Sequence, residues 1–143
     1  MARVKLHIPG EEIFSTKISI RITDINYGNH LGNDALVGLL QETRVRWLLS
    51  FGLGELDVGG CGLIMADLAV EYKLEGFYKD QLSITLFVGE ITSAGFELYY
   101  LITNQNNNIV AKAKTGMVCY NYELKKVNPI PHVLRKYLGT DSD

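Results

Sequence analysis

One long helix followed by a series of strands is the feature that most restricts how this sequence can fold. From residue 35 to residue 51, apolar side chains recur at about 100° per residue, which predicts a helix. Asn33 or Asp34 is expected to cap its start, and Gly52 to end it. The predicted apolar face consists of Leu36, Leu39, Leu40, Thr43, Trp47 and Phe51.

Five segments alternate between apolar and polar residues, as half-buried strands do. One spans residues 13–22 and precedes the helix; the others span residues 63–72, 82–88, 96–103 and 109–122. Polar turns rich in Gly, Ser and Asn join the last three, and a short helix is predicted for residues 133–138. This order predicts an α+β fold with a mainly antiparallel sheet.

Only one long helix is available to cover the apolar face of this sheet. We therefore expect about five strands to curve around a central helix. A free sheet edge and uncovered apolar surface would remain, and a second copy of the chain would cover them. The sequence thus predicts a symmetric homodimer, which could itself associate into a tetramer.

Composition narrows the possible functions. The 143 residues are expected to form one domain, 1–143, and 47% hydrophobic with 21% charged residues is ordinary for a soluble protein. A net charge of -2 without a run of Lys or Arg argues against nucleic-acid binding. No membrane span or signal peptide is evident, so we expect a cytoplasmic location. Cys61 and Cys119 lack metal-ligand spacing, and neither a metal nor another cofactor is expected.

A polar loop at residues 21–34 concentrates the candidate chemistry. Asp24, Asn26, His30 and Asn33 lie in it, just before the start of the helix. Backbone N–H groups and the positive end of the helix dipole can stabilise negative charge that develops at such a position. Beyond the helix, the glycine-rich residues 52–62 are interpreted as a flexible connection or lid.

Arg44 interrupts the apolar side of the predicted helix. One interpretation is that its guanidinium group extends outward to solvent while the stem packs on apolar neighbours. The other is that it forms an ion pair or contacts a substrate, because a buried arginine needs a partner.

The loop motif Arg21-x-x-Asp24-x-Asn26-x-x-x-His30-x-x-Asn33 is followed by Glu42-Thr43-Arg44 in the helix. Together they resemble the hotdog-fold acyl-CoA thioesterases of the 4-hydroxybenzoyl-CoA thioesterase-like family. Further matches are Val70-Glu71-Tyr72, Asp80-Gln81-Leu82, Thr115 and Asn128-Pro129-Ile130-Pro131. The resemblance covers nearly the whole chain in element order. It implies the hotdog fold and hydrolysis of an acyl thioester, carried by CoA or by an acyl carrier protein.

One position departs from the family pattern. Many members have a catalytic Asp where this sequence has Asn26, and an amide neither ionises nor acts as a general base. The chain also resembles plant acyl carrier protein thioesterases, which use Asp, Asn, His and Glu. In that comparison His30 and Glu75 are retained, whereas Asn26 and Gly28 replace the Asp and the Asn.

Thioester hydrolysis needs donors for the oxyanion, a nucleophile and a base. The backbone near Leu31, Gly32 and Asn33, at the start of the helix, could supply the donors. Arg44 is the remaining candidate for a substrate contact.

The side chains of the loop offer several roles. Asn26 could orient a water molecule or the substrate, and His30 or Glu75 could accept the proton. Asp24 is either a carboxylate base or a turn acceptor. His30 could equally serve only in capping or packing, and Glu75 could be a solvated turn residue.

Two other functions remain open. The absence of a carboxylate at Asn26 favours a non-catalytic protein that binds acyl thioesters. R-specific enoyl-CoA hydratases share the hotdog fold and use Asp-x-Asn-Pro-x-His. This sequence has Asp24 and Asn26, but Tyr27 stands at the Pro position and His30 comes one residue late.

Overall fold

A six-stranded antiparallel sheet with one long helix on its buried face forms the protein, which a computed structural model describes for residues 2–139. The strands are β1 Glu12–Ser19, β2 Gly62–Tyr72, β3 Gln81–Ile91, β4 Gly95–Thr103, β5 Ile109–Asn121 and β6 Lys126–Val127. The helices are α1 Asn33–Leu49 and α2 His132–Arg135, and single 3-10 turns span Ile22–Asp24 and Lys136–Leu138. The strand order is β1-β3-β4-β5-β2, with β6 paired to β5. The predicted α+β class and antiparallel sheet are confirmed.

Helix α1 starts and ends earlier than its apolar pattern suggested. It begins at Asn33 and ends at Leu49. The prediction that Asn33 or Asp34 caps the helix was wrong, because Gly32 is the N-cap and no side chain caps this end. The carbonyl of Gly32 accepts the N–H of Leu36 at 3.0 Å, so the backbone itself opens the helix.

The apolar side of α1 packs on the middle of the sheet. Its buried residues are Leu36, Leu39, Leu40, Thr43, Arg44, Trp47 and Leu48. The ring of Trp47 packs edge-to-face against the ring of Phe96 in β4, with 6.4 Å between the ring centroids. Phe51, beyond the helix end, stacks at 3.8 Å on Tyr137 of the terminal turn. The helical turns predicted at residues 133–138 are therefore present, and they close the core at this end.

Strand β1 ends before the predicted alternation does. Ile18 and Ile20 are buried as expected, but Ile22 is 63% exposed because it belongs to the 3-10 turn. The prediction that residues 13–22 form one strand was wrong at its end. The chain turns there because the Asp24 carboxylate accepts the N–H of Arg21 at 2.8 Å.

Strand β2 contains a bulge that changes the face of its side chains. Its pairing with β5 skips a residue between Met65 and Asp67. Leu63 therefore faces inward before the bulge and Leu68 after it, opposite buried Cys119 and Thr115. No single alternation of faces therefore runs through the whole of β2.

The bulge has a clear anchor. The Asp67 carboxylate accepts the N–H of Gly116 at 2.7 Å and the ammonium of Lys114 at 2.9 Å. Strand β2 pairs with β5 alone among the described strands, so it forms one edge of the sheet. Three of its inward-facing apolar residues stay partly exposed there: Met65, Leu68 and Tyr72.

The connection between α1 and β2 is folded onto the body. The Asp57 carboxylate accepts the N–H groups of Gly59 and Gly60 at 3.0 and 2.9 Å. Both glycines have positive φ, +119° and +100°, which side-chain-bearing residues rarely adopt.

Within residues 2–139, no helix is both long and apolar enough to cross a bilayer.

Candidate active site

Asp24 fixes the start of the polar loop. Its buried carboxylate accepts the backbone N–H of Arg21 at 2.8 Å and the guanidinium at 3.1 and 3.2 Å. Burial alone would raise the pKa of this carboxyl, but the hydrogen bonds and charge of Arg21 outweigh burial and lower the pKa below its ordinary value. The Asp24 carbonyl also accepts the N–H of Gly32 at 3.0 Å. The geometry thus supports the turn interpretation of Asp24.

Asn26 closes the tip of the loop around His30. Its backbone N–H donates to the His30 carbonyl at 2.9 Å, and its Oδ1 accepts from Gly28 at 2.9 Å and from His30 at 3.4 Å. A Cβ at Gly28 would lie 3.3 Å from both Asn26 Oδ1 and His30 Nε2. Both side chains therefore pack against this glycine, and the amide oxygen of Asn26 is used inside the loop.

A cleft of about 270 Å³, which we call the loop cleft, opens where this loop meets the connection after β2. The N–H of Leu31 donates to the carbonyl of Gly76 at 2.8 Å and joins the two segments. The loop cleft is lined by His30, Leu31, Asn33, Leu36, Tyr72, Lys73, Leu74, Glu75, Gly76 and Val110.

The predicted site residues divide by their position relative to this cleft. Those that line it are His30, Leu31, Asn33 and Glu75. Those that belong to the loop but lie outside the lining are Asp24, Asn26 and Gly32. The first group is in place to contact a ligand, and the second group shapes the loop that carries it.

The backbone donors are fewer than expected. The N–H groups of Leu31 and Gly32 already donate to the carbonyls of Gly76 and Asp24, at 2.8 and 3.0 Å. Asn33 is the first residue of α1, so no preceding helical turn can accept its N–H. Of the three predicted donors, the N–H of Asn33 is therefore the one that opens the helix, and no helical carbonyl accepts it.

Several lining residues were missed from the sequence. Tyr72, Leu74 and Val110 form the apolar wall opposite the loop. Gly76 allows the two segments to approach, because a Cβ there would lie 3.2 Å from Cβ of Leu31 in the loop and 2.8 Å from Ile20 Cδ1. In the sequence, the only local sign of this close approach is that Gly76 directly follows the candidate base Glu75.

Arg44 belongs to a separate buried network. It is 6% exposed and pairs with Glu55 at 2.9 Å and with the Tyr100 hydroxyl at 3.1 Å. That hydroxyl lies 2.8 Å from Thr115 Oγ1. Burial would lower the pKa of Arg44, but Tyr100 and Glu55 outweigh burial and raise it above its ordinary value. The solvent-extended interpretation was wrong, and the prediction of a paired buried Arg44 is confirmed.

Comparison with known proteins identifies the family. The model of the thioesterase-like superfamily matches residues 20–138, which contain the loop, α1 and all strands from β2 onward. The chain belongs to the thioesterase-like superfamily. No curated protein sequence matches it significantly. The family assignment suggested by the loop motif is confirmed.

Solved structures share the fold of this thioesterase-like chain. A 1,4-dihydroxy-2-naphthoyl-CoA thioesterase from Synechocystis is 18% identical with a TM-score of 0.81, over 91% of this chain and 98% of that one. A DHNA-CoA thioesterase from Staphylococcus aureus is 18% identical with a TM-score of 0.74, over 80% and 78%. Another S. aureus protein, in complex with CoA, is 14% identical with a TM-score of 0.80, over 97% and 91%. These similarities confirm the hotdog arrangement.

Proposed function

We propose that the protein hydrolyses an acyl-CoA thioester in the loop cleft, releasing a free acid and the CoA thiol. The observation that carries this proposal is that His30, Asn33 and Glu75 line one cleft in a thioesterase-like chain. The structural neighbours described above add support, since two of them are named as thioesterases of CoA esters and the third is a complex with CoA.

The proposed reaction begins with attack of a water molecule on the thioester carbonyl carbon. Negative charge then develops on the carbonyl oxygen, and the N–H of Asn33 with the positive end of α1 stabilises it. A base removes the proton of the water as the C–O bond forms. The C–S bond then breaks, and the same proton neutralises the departing thiolate.

His30 and Glu75 are the candidates for the base, because both line the loop cleft. An imidazole can accept a proton from water and return it to the leaving group. Asn26 has a positioning role in this proposal, since its Oδ1 and backbone N–H hold the backbone of His30. Its amide orients the loop and takes no proton.

A panel of acyl-CoA esters, assayed by release of free thiol, tests the proposal. His30→Ala and Glu75→Ala examine the two bases separately, and loss of the base should lower kcat by about 10²–10⁴-fold. The exposed His132 and Glu123 give matched controls as alanine variants, which should retain full activity. If neither base variant loses more than about threefold, the water-and-base scheme is wrong.

A non-catalytic acyl-thioester-binding role is the second candidate, because position 26 carries an amide. It predicts that the acyl-CoA panel binds but is not hydrolysed. Equilibrium titration beside the thiol assay separates the two functions, because an enzyme shows both binding and turnover.

We also propose that the protein acts as a homodimer paired through the open edge of β2. Leu68 and Tyr72 are 37% and 46% exposed on the inward face of this edge strand, and a second copy would cover them. Tyr72 also lines the loop cleft, so this pairing would place the partner beside the site. Light scattering should give twice the monomer mass, and Leu68→Lys should shift it toward the monomer. A monomer at micromolar concentration contradicts the dimer.

A cytoplasmic location completes the proposal. Cys61 and Cys119 are both buried as free thiols, as is usual in a reducing compartment. Fractionation of cells expressing the tagged protein would test it, and recovery outside the cytoplasmic fraction would contradict it.

A further inference from the structure

A second groove adjoins the loop cleft, between the N-terminal segment and the end of β2. It has a volume of about 530 Å³ and is lined by residues 2–5 and 70–73. We call it the basic groove. Tyr72 and Lys73 line both the basic groove and the loop cleft. A single elongated ligand can therefore extend from one to the other.

The basic groove carries an excess of positive charge. Its lining contains Arg3, Lys5 and Lys73 but a single carboxylate, Glu71. That carboxylate pairs with Lys73 at 2.8 Å, and no carboxylate in residues 2–139 pairs with Arg3 or Lys5. The chain as a whole has a formal net charge of -2, so this local excess runs against its overall balance. Such a groove attracts an anionic group.

The N-terminal segment is held in place over the sheet. The N–H of Leu6 donates to Glu71 Oε1 at 2.9 Å, and Lys112 Nζ donates to the Leu6 carbonyl at 3.5 Å. The hydrogen bond from Lys73 and the N–H of Leu6 lower the pKa of Glu71 to about 2, so it is ionised at neutral pH. The two cations near the start of the chain are thereby positioned at the groove before any ligand binds.

We propose that the basic groove binds the phosphate groups of coenzyme A while the acyl thioester occupies the loop cleft. This inference rests on the proposed function. Coenzyme A joins its thiol through a linear pantetheine arm to several phosphates, which matches a narrow cleft continuing into a cationic groove. Arg3 and Lys5 donate to the phosphate oxygens, and Lys73 stands at the junction. An acyl carrier protein offers only one phosphodiester at the end of the same arm.

One acyl group presented on three carriers tests this assignment. The carriers are coenzyme A, pantetheine without phosphates, and an acyl carrier protein. In the R3Q/K5Q variant, kcat/KM for acyl-CoA should fall about tenfold through KM, while kcat/KM for acyl-pantetheine stays within about twofold. The matched control is K125Q/K126Q, which removes the same charge from two exposed residues at the start of β6 and should change neither value.

Three results overturn the proposal. Equal losses on acyl-CoA and acyl-pantetheine mean that the segment has only a structural role. Unchanged kinetics on all carriers mean that the groove contacts none of them. A loss confined to the acyl carrier protein assigns the groove to that carrier instead.

Equilibrium binding separates this inference from the proposed reaction. Coenzyme A and adenosine 3′,5′-bisphosphate are titrated calorimetrically into the parent, R3Q/K5Q and the control. A rise in Kd of about tenfold in R3Q/K5Q alone supports the groove even if no acyl-CoA is hydrolysed. Equal Kd values in all three proteins overturn the groove even if hydrolysis is normal.

Discussion

Arg44 places a charge in the protein core, and the substitution Arg44→Met tests how that charge is balanced. Methionine keeps most of the apolar stem of arginine but removes the guanidinium group. Glu55 then loses its partner at 2.9 Å, whereas the Tyr100 hydroxyl loses a contact at 3.1 Å but keeps Thr115 at 2.8 Å. The cost in stability therefore arises mainly from the Glu55 carboxylate, which is left without its ion-pair partner.

The magnitude follows from the exposure of that carboxylate. Removing one partner of a fully buried ion pair costs about 3–5 kcal/mol, because a charge is left unpaired in the core. The side chain of Glu55 is 18% exposed, and Gln41 lies 3.4 Å from its Oε1, so water and an amide partly solvate it. We expect Arg44→Met to lower the free energy of unfolding by about 2–4 kcal/mol.

The double variant R44M/E55Q sharpens the test. It removes the cation and the anion together, so no unpaired charge remains. Its loss of unfolding free energy should be smaller than the sum of the losses in the two single variants by roughly 1–3 kcal/mol. Additive losses would mean that Arg44 and Glu55 are not energetically coupled.

Urea unfolding measures these changes. The fluorescence of Trp47, the only tryptophan, reports the core directly, and linear extrapolation gives the free energy in water. Arg46→Met is the control in the same helix, since Arg46 and its partner Glu42 are 39% and 49% exposed. It should cost no more than about 1 kcal/mol. A loss below about 0.5 kcal/mol for Arg44→Met would refute the reasoning.

Three further predictions concern the polar loop and its neighbour. Asn26→Asp should raise kcat, because it keeps an acceptor for Gly28 while adding an ionisable group; a lower kcat in the thiol assay would show that the amide is required. Gly76→Ala should lower kcat/KM more than about tenfold and the free energy of unfolding by roughly 1–3 kcal/mol, because the new methyl group clashes with Ile20. Unchanged kinetics would mean that Gly76 does not shape the active site. Folding lowers the pKa of Asp24 below its ordinary value of 3.8. The ionised carboxylate therefore contributes its full stabilisation above about pH 3.8, and this stabilisation is lost as the pH falls through the pKa of the folded state. Asp24→Asn should therefore be less stable than the parent at neutral pH and lose that difference in acid, as measured by urea unfolding across the pH range.

Local patterns were sufficient for the fold because each element carries its own periodicity. They failed where one side chain redirects the backbone. Ile22 continues the alternation of β1 in sequence, but the bond between Asp24 and the N–H of Arg21 has already turned the chain. In β2, the bonds from Gly116 and Lys114 to Asp67 stabilise a bulge, and nothing in the alternation of that strand indicates it.

The candidate site was accessible from the sequence only in part. Its loop is continuous in the chain, so the clustering of polar residues located it. The opposite wall comes from residues 72–76 and from Val110, which only the sheet topology brings together. Glu75 was found through resemblance to relatives, and Tyr72 could not be found because a tyrosine at the end of a strand is ordinary.

The departure at Asn26 changes the chemistry of the loop without changing its architecture. In the structure, Oδ1 of Asn26 is an acceptor for the N–H groups of Gly28 and His30. An aspartate oxygen can accept the same bonds, so the loop closes in the same way with either residue. The surrounding motif is therefore evidence for the fold, and the chemistry depends on the side chains that reach the loop cleft. In the proposed reaction the proton transfers belong to those side chains, and of the predicted candidates they are His30 and Glu75.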